Sequence, residues 1–270
     1  VLPGRWLGAV LLGVALLPRE RPLADGEFRV LQLDVGQGLA VLVRTRQHAL
    51  LYDTGPRWFD GGDAGESVVV PALRALGVAR LDDVVVSHAD LDHAGGAESL
   101  LKLWPVARVF SSEAVATLRH IVTTPCIAPT RWHYDGVDFE VLHPPTTLPY
   151  LGNESSCVVR IANAGGSALI PGDIGTTIED RLIREQSDRL DVDVLIAGHH
   201  GSAGSTSADF LKAVTPQQVW YSAGYLNRFD FPRPAVVERV IAAGARHLDG
   251  DDLRRLAVAA ADRGLTGEDA

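Results

Sequence analysis

Ser87-His88-Ala89-Asp90-Leu91-Asp92-His93-Ala94-Gly95-Gly96 sets four metal-capable side chains within six residues and follows them with two glycines. Imidazole and carboxylate are the ligands that hold Zn²⁺ or Mn²⁺ in hydrolytic sites. The run follows Asp82-Asp83-Val84-Val85-Val86, whose continuous apolar stretch reads as a buried strand. It precedes Ala97-Glu98-Ser99-Leu100-Leu101-Lys102-Leu103, which has helical spacing. The four side chains therefore fall where a strand ends and a helix begins, the place where open α/β sheets put their sites. Surface loops are often rich in Asp and His, and a lone His-x-Asp means little. Two His and two Asp at this spacing are much harder to reach by accident.

Outward from this run, the chain alternates β-prone and helical segments. Strands are expected at Phe28–Asp34, Leu39–Arg44, His48–Asp53, Asp138–Leu142, Cys157–Ala162, Ser167–Ile170, Val192–Ala197 and Gln218–Ser222. Helices are expected at Ser67–Leu76, Ile178–Glu185, Ala208–Ala213 and Ala235–Ala243. The order is mixed rather than a strict βαβ series, and it predicts a layered α/β domain. Gly36 and Gly38 could suggest phosphate cradling, but neither GK[ST] nor GxGxxG follows them.

Composition sets the frame. With 270 residues, 46% hydrophobic and 22% charged, the chain can build one large core. The two cysteines, Cys126 and Cys157, lie in no CxxC or Cys/His spacing, which argues against thiolate zinc and predicts small core hydrophobes. Leu7 to Leu17 is an apolar run too short to span a bilayer unaided, flanked by Arg5-Trp6 and by Pro18-Arg19-Glu20-Arg21-Pro22. Met is absent, position 1 included. Together these features give the expectation of a piece of a longer protein, with residues 1–25 the end of a transmembrane helix and a linker, and residues 26–270 the catalytic domain. The formal net charge of −9 opposes unaided nucleic-acid binding, which rests on Lys and Arg. Bound divalent cations would reverse the local field.

HxDxDH followed by Gly-Gly resembles the second motif of the metallo-β-lactamase superfamily. Leu50-Leu51-Tyr52-Asp53-Thr54-Gly55 is similar to its first motif. Ala168-Leu169-Ile170-Pro171-Gly172-Asp173-Ile174 is similar to the motif carrying its metal-bridging carboxylate, and Ala197-Gly198-His199-His200-Gly201-Ser202 to its late His motif. A narrower resemblance, over roughly residues 28 to 235, is to the hydrolase domain of the ComEC family, the DNA-internalisation channels of bacterial competence. Leu33-Asp34-Val35-Gly36-Gln37-Gly38, Gly198–Ser202 and Gly224-Tyr225-Leu226-Asn227-Arg228-Phe229 carry it. In two places the chain departs from the wider pattern. Asp230-Phe231-Pro232 stands where the ComEC family usually has Gly-His-Pro. Asn153-Glu154-Ser155-Ser156-Cys157 stands in place of the superfamily's third, His-bearing motif, as is usual for the ComEC branch. The second departure implies one metal with fewer protein ligands and more water.

The resemblance implies an α/β fold, a metallo-β-lactamase-like four-layer αββα sandwich, preceded by the end of a transmembrane helix. It implies two divalent metal ions, Zn²⁺ or Mn²⁺. His88 and Asp90 would hold one; Asp92, His93 and His199 the other; Asp173 would bridge them. Asp53 would orient a ligand imidazole through its other ring nitrogen. Asp92 and His200 are the catalytic candidates. His200 would contact the scissile phosphate or protonate the leaving oxygen, since along extended backbone it cannot point the same way as its neighbour; a simple loop hydrogen bond is the competing role. Ser202 and Asn153 are weaker phosphate-contact candidates. His143 could approach the site, and His48, His120, His133 and His247 have no ligand spacing.

The function so implied is a metal-dependent phosphodiesterase or deoxyribonuclease, cleaving DNA, single-stranded above all, with a metal-activated hydroxide. Its setting would be a bacterial inner-membrane protein, with the upstream channel domain and the DNA-uptake machinery as partners. Two other functions compete: a hydrolase of lactams, thioesters or phosphocholine esters, and a non-catalytic metal-binding module that guides DNA.

Overall fold

The computed structural model describes residues 21–59, 61–112 and 118–249. The expected end of a transmembrane helix lies outside them, and no helix among the described residues is long and apolar enough to cross a membrane. The strands are β1 Arg29–Gln32, β2 Val41–Arg44, β3 Ala49–Tyr52, β4 Leu81–Val86, β5 Val106–Ser111, β6 Thr124–Pro125, β7 Arg131–Tyr134, β8 Val137–His143, β9 Val158–Ala162, β10 Ser167–Ile170, β11 Val194–Ile196, β12 Gln218–Trp220 and β13 Arg246–Leu248. They form two sheets, one ordered β1-β2-β3-β4-β5-β6 and the other β13-β12-β11-β10-β9-β8-β7. Each sheet is antiparallel in its meander half and parallel where helices intervene.

Residue alternation along the strands builds the layers. Val41, Val43, Leu50, Tyr52 and Val85 point inward and meet Val141, Val159, Ile161, Ile170 and Ile196 of the second sheet. Their neighbours Leu42, Leu51, Val84 and Val86 point outward, onto α1 Val70–Ala75 and α3 Ala97–Leu103 through Val70, Leu73, Ala97 and Leu100. Leu169, Leu195 and Val219 do the same on the other face, beneath α4 Thr176–Gln186, α5 Ala208–Val214 and α6 Pro234–Ala242. A strand covered on both faces is apolar at every position, which is why these segments read as continuous runs. The order helix, sheet, sheet, helix is the expected αββα sandwich.

Four strands escape the sequence reading: β5, the two-residue β6, β7 and β13. Arg108, His133 and Arg246 interrupt their apolar pattern, and pairing with neighbours decides them. Ser67–Leu76 is helical, but its first turn, Gly65–Val69, is wound as a π-helix. Cys126 and Cys157 are buried as expected, yet they are bonded to one another, their Cα atoms 6.0 Å apart across 31 residues of sequence. The expectation of two independent core residues is corrected: β5–β6 packs against the start of β9, and sequence spacing alone cannot show that approach.

Two glycines fix where the metal-capable run sits. A methyl on Gly96 would overlap the Gly65 amide nitrogen and the Thr54 carbonyl oxygen. Gly38, at φ +148°, lies against the Asp92 carbonyl, which accepts a hydrogen bond from the Leu39 amide at 3.1 Å. The Gly36-Gln37-Gly38 turn therefore supports the Asp92 backbone rather than cradling a phosphate. Gly96→Ala should lower stability by about 1–3 kcal/mol, because neither backbone can retreat. An unchanged urea midpoint would contradict this packing.

Candidate metal centre

β3, β4, β10, β11 and β12 all end at the same edge of the sandwich, and the loops that leave them carry the site. Asp53 follows β3 in the left-handed region, φ 57°. Ser87 and His88 follow β4, and the short helix α2 Leu91–Ala94 carries Asp92 and His93. Gly172 and Asp173 follow β10, His199 and His200 follow β11, and Ser222 follows β12. His88, His93, Asp173 and His200 are all buried.

The hydrogen bonds decide which nitrogen of each ring faces the centre. Asp53 Oδ2 accepts from His93 Nδ1–H at 2.7 Å. It also accepts the Ser87 hydroxyl at 2.7 Å, and Oδ1 takes the Ser87 amide at 2.7 Å. With its one proton committed to Asp53, the Ser87 hydroxyl can only accept from His88 Nδ1–H, 2.9 Å away. The Ser156 hydroxyl donates to the Asn153 carbonyl at 2.7 Å, so it too can only accept from His88, at 3.3 Å. His200 Nδ1–H donates to the Ser222 carbonyl at 2.7 Å. All three imidazoles are thus tethered through Nδ1, and their Nε2 atoms converge.

His93 Nε2 lies 3.2 Å from His200 Nε2 and 3.2 Å from Asp173 Oδ1. His200 Nε2 lies 3.3 Å from Asp92 Oδ2 and 3.6 Å from Asp173 Oδ2. His88 Nε2 and Asp173 Oδ1 are buried with no hydrogen-bond partner among the described residues. Two groups of ligand atoms result, each within 4.8 Å: His88, His93, Asp173 and Asp92, His93, His200. Burial disfavours a charge on His93, but Asp173 and Asp53 outweigh it and push its pKa well above the ordinary value. Burial would raise Asp173, yet His93 and His200 hold its carboxyl far below the usual range. For Asp92, burial is likewise overcome, by the His200 hydrogen bond and by the charges of His93 and His200, leaving a pKa of about 2. Converging Nε2 lone pairs, two orphaned buried atoms and three low-pKa or ion-paired carboxylates fit a divalent cation, which would displace the His93 proton.

The structure brings together His88, Asp92, His93 and Asp173 as the sequence suggests, with Asp53 behind His93. Asp90 is half exposed, its Oδ2 3.6 Å from His88 Nε2, and the His88 ring is the main influence that holds its carboxyl below the usual range. His199 and His200 exchange places relative to expectation. His200 joins the cluster, while His199 reaches Asp173 Oδ2 from the rim at 3.7 Å. The expectation assumed extended backbone, but both residues are left-handed, φ 47° and 56°, and the turn swings the second ring inward. Ser202 meets Ser205 and the Asn153 carbonyl caps Ser156, so both are supports. His48 pairs with Asp135 and His133 with Asp138, away from the site.

Sequence reasoning missed Ser87, Ser156 and Ser222. Ser156 sits in the segment that replaces the third His motif, and that gap was its signal. Its hydroxyl also accepts the Asp173 amide at 3.0 Å, so one serine orients His88 and Asp173 together. Phe231 packs directly on the site, its ring centroid 6.0 Å from His199 and 6.4 Å from His200.

His143 turns away from the cluster and donates Nε2–H to the Glu154 carbonyl at 2.8 Å, holding the turn that leads to Ser156. Burial lowers its pKa from 6.5 to about 4, against the pull of that bond. Between these values the unfolded chain binds the extra proton, so this residue's contribution is complete above pH 6.5 and is lost as pH falls towards 4. The stability difference between wild type and His143→Gln should narrow by about 3 kcal/mol from pH 7 to pH 4. Parallel urea-midpoint profiles for the two proteins would refute the buried neutral imidazole.

Residues 33–224 match the sequence profile of the Metallo-beta-lactamase superfamily. Over 249 residues, 91% of this chain and 34% of the relative, the chain is 39% identical to Competence protein ComA of Neisseria gonorrhoeae. Over 233 residues, 86% of this chain and 29% of the relative, it is 35% identical to Recombination protein 2 of Haemophilus influenzae. The chain spans about a third of the length of these relatives. Among solved structures, the metallo-beta-lactamase fold protein YhfI from Bacillus subtilis matches with a TM-score of 0.56 at 13% identity, over 83% of this chain and 95% of that one, a likeness of fold alone. The matches together fit a metallo-β-lactamase-fold domain of the ComEC family.

Proposed function

Because the chain belongs to the metallo-β-lactamase superfamily, we propose that its His/Asp cluster is a two-metal centre that hydrolyses the phosphodiester bonds of DNA during uptake. The convergence of three Nδ1-tethered imidazoles on the unpartnered Asp173 Oδ1 carries this reading. His88 and Asp90 would serve one ion, Asp92, His93 and His200 the other, and Asp173 both. Two divalent ions, Zn²⁺ or Mn²⁺, would supply a nucleophile at neutral pH and offset the charge that grows on the phosphoryl oxygens. The mixed nitrogen and oxygen donor set suits either.

The chain's own residues do the rest. Asp53, Ser87, Ser156 and Ser222 hold the ligand rings against rotation. His199, at the rim and partly exposed, is positioned to hand a proton to the leaving oxygen, the role that the sequence pattern attached to its neighbour. The relatives named for competence and recombination support a role in DNA uptake; in this reading the substrate is a single strand and the setting a larger inner-membrane protein with its channel domain as partner. The net charge of −9 makes delivery by such a channel, rather than free capture, the way the strand arrives.

Elemental analysis after gentle loading with Zn²⁺ or Mn²⁺ should find close to two equivalents, and the loaded protein should cleave a labelled single-stranded oligonucleotide. Asp173→Asn should reduce kcat/KM by roughly a thousandfold, about 4 kcal/mol in the transition state, with the circular dichroism spectrum nearly unchanged. Wild-type rates in this variant would exclude the shared carboxylate. A loaded wild-type protein that binds the oligonucleotide but never cuts it would be a guide rather than a hydrolase.

A further inference from the structure

The loop from Gly224 to Pro232 carries aromatic rings away from the cluster in a nearly parallel series. The Phe231 ring lies 22° from the plane of His200 at 6.4 Å, and Phe229 lies 20° from Phe231 at 5.5 Å. The Arg228 guanidinium covers Phe229, 4.7 Å from its centroid, and Arg233 stands 5.9 Å from the Phe231 centroid. Phe229 is more than a third exposed and Tyr225 largely exposed, so this apolar surface faces solvent instead of a core.

The loop is held in advance. Asn227 Oδ1 accepts the Phe229 and Phe231 amides at 3.1 and 3.0 Å, and its Nδ2 donates to the Gly224 and Phe231 carbonyls at 2.9 and 2.6 Å. One side chain thus satisfies four backbone groups. Gly224 in turn packs on Gln37, whose Oε1 accepts the Gly224 amide at 3.3 Å. Asp230, largely exposed, pairs with Arg233 at 3.6 Å, which offsets its repulsion of a phosphate. This ordered series runs from a buried site histidine through the half-buried Phe231 to the exposed Phe229, and a flat, π-faced anionic ligand suits it: the ligand would take the guanidinium's place over Phe229 while Arg228 meets its charge.

We propose that Phe229 and Phe231, with Arg228 and Arg233, form a nucleobase subsite that stacks an unpaired base next to the phosphodiester at the His/Asp cluster. The subsite rests on the hydrolytic reading above and deepens it, since bases paired within a duplex hide their faces and a single strand offers them. Phe231 would give the base a wall beside the cluster.

The test uses the full chain at low ionic strength and two eight-residue phosphorothioate strands of equal charge, which resist cleavage. One carries thymines and the other abasic tetrahydrofuran units. Fluorescence anisotropy should show the wild type binding the thymine strand about tenfold more tightly or better. Phe229→Ala should lose that preference and Phe229→Trp should keep it. A 2-aminopurine base should be quenched on binding to the wild type and stay bright with Phe229→Ala. Equal affinity of the wild type for both strands overturns the subsite, as does a Phe229→Ala protein that retains the preference. Binding to anionic lipid vesicles through Phe229, with no preference for bases, overturns it too and makes the loop a membrane contact. A chain that prefers bases yet hydrolyses no diester loses the hydrolytic reading while the subsite stands. A chain that cleaves diesters of base-bearing and abasic strands alike loses the subsite alone.

Discussion

Asp53 is fully buried at the end of β3, and its two oxygens take three hydrogen bonds, from His93 Nδ1, the Ser87 hydroxyl and the Ser87 amide. This one carboxylate joins the ends of β3 and β4 and sets the orientation of two imidazoles, His93 directly and His88 through Ser87. A buried carboxylate is costly unless every lone pair finds a donor. The arrangement therefore tolerates few alternatives: if His93 turned, Asp53 would lose a charge-assisted bond and Ser87 would lose the order that faces His88 Nε2 inward.

The second sheet meets this half with the same economy. Ser156, at the start of β9, receives the Asp173 amide and His88 Nδ1, so it couples a ligand from each sheet. The Tyr52 hydroxyl donates to the Cys157 carbonyl next door, and the Cys126–Cys157 bond ties the same segment to β5–β6. The segment from Asn153 to Cys157 is the fastening between the sheets. Such an edge gathers His88, His93, His200, Asp92 and Asp173 into a small volume. A proton on His93 offsets part of the carboxylate charge among them, and a divalent cation would take that proton's place.

The aromatic loop depends on that scaffold as well. Phe231 stacks on His200, whose ring is held by Ser222 at the end of β12, so the orientation of the site is passed outward to the rings that meet solvent. A pre-ordered rim agrees with the proposed receipt of a strand, since it would not have to be organised at the moment of contact.

Most of the layered architecture was legible along the chain, because strands covered on both faces are apolar throughout. The close spacing of His88, Asp90, Asp92 and His93 made that part of the cluster legible, whereas Asp53 and Asp173 were reached through the resemblance to known motifs. What local pattern could not supply was direction. Which of His199 and His200 faces the cluster depends on left-handed backbone at both residues. The partnership of Ser87 and Ser156 with His88, the pairing of Cys126 with Cys157, and the packing of Phe231 on His200 all join segments far apart in sequence or lie in side-chain hydroxyls that no periodicity marks. Residue types and their spacing determined that a metal centre could form at one edge of an α/β sandwich. Only the closing of the two sheets decided which ring nitrogens meet there, since hydrogen-bond donors and acceptors become ordered when burial leaves each of them a single partner.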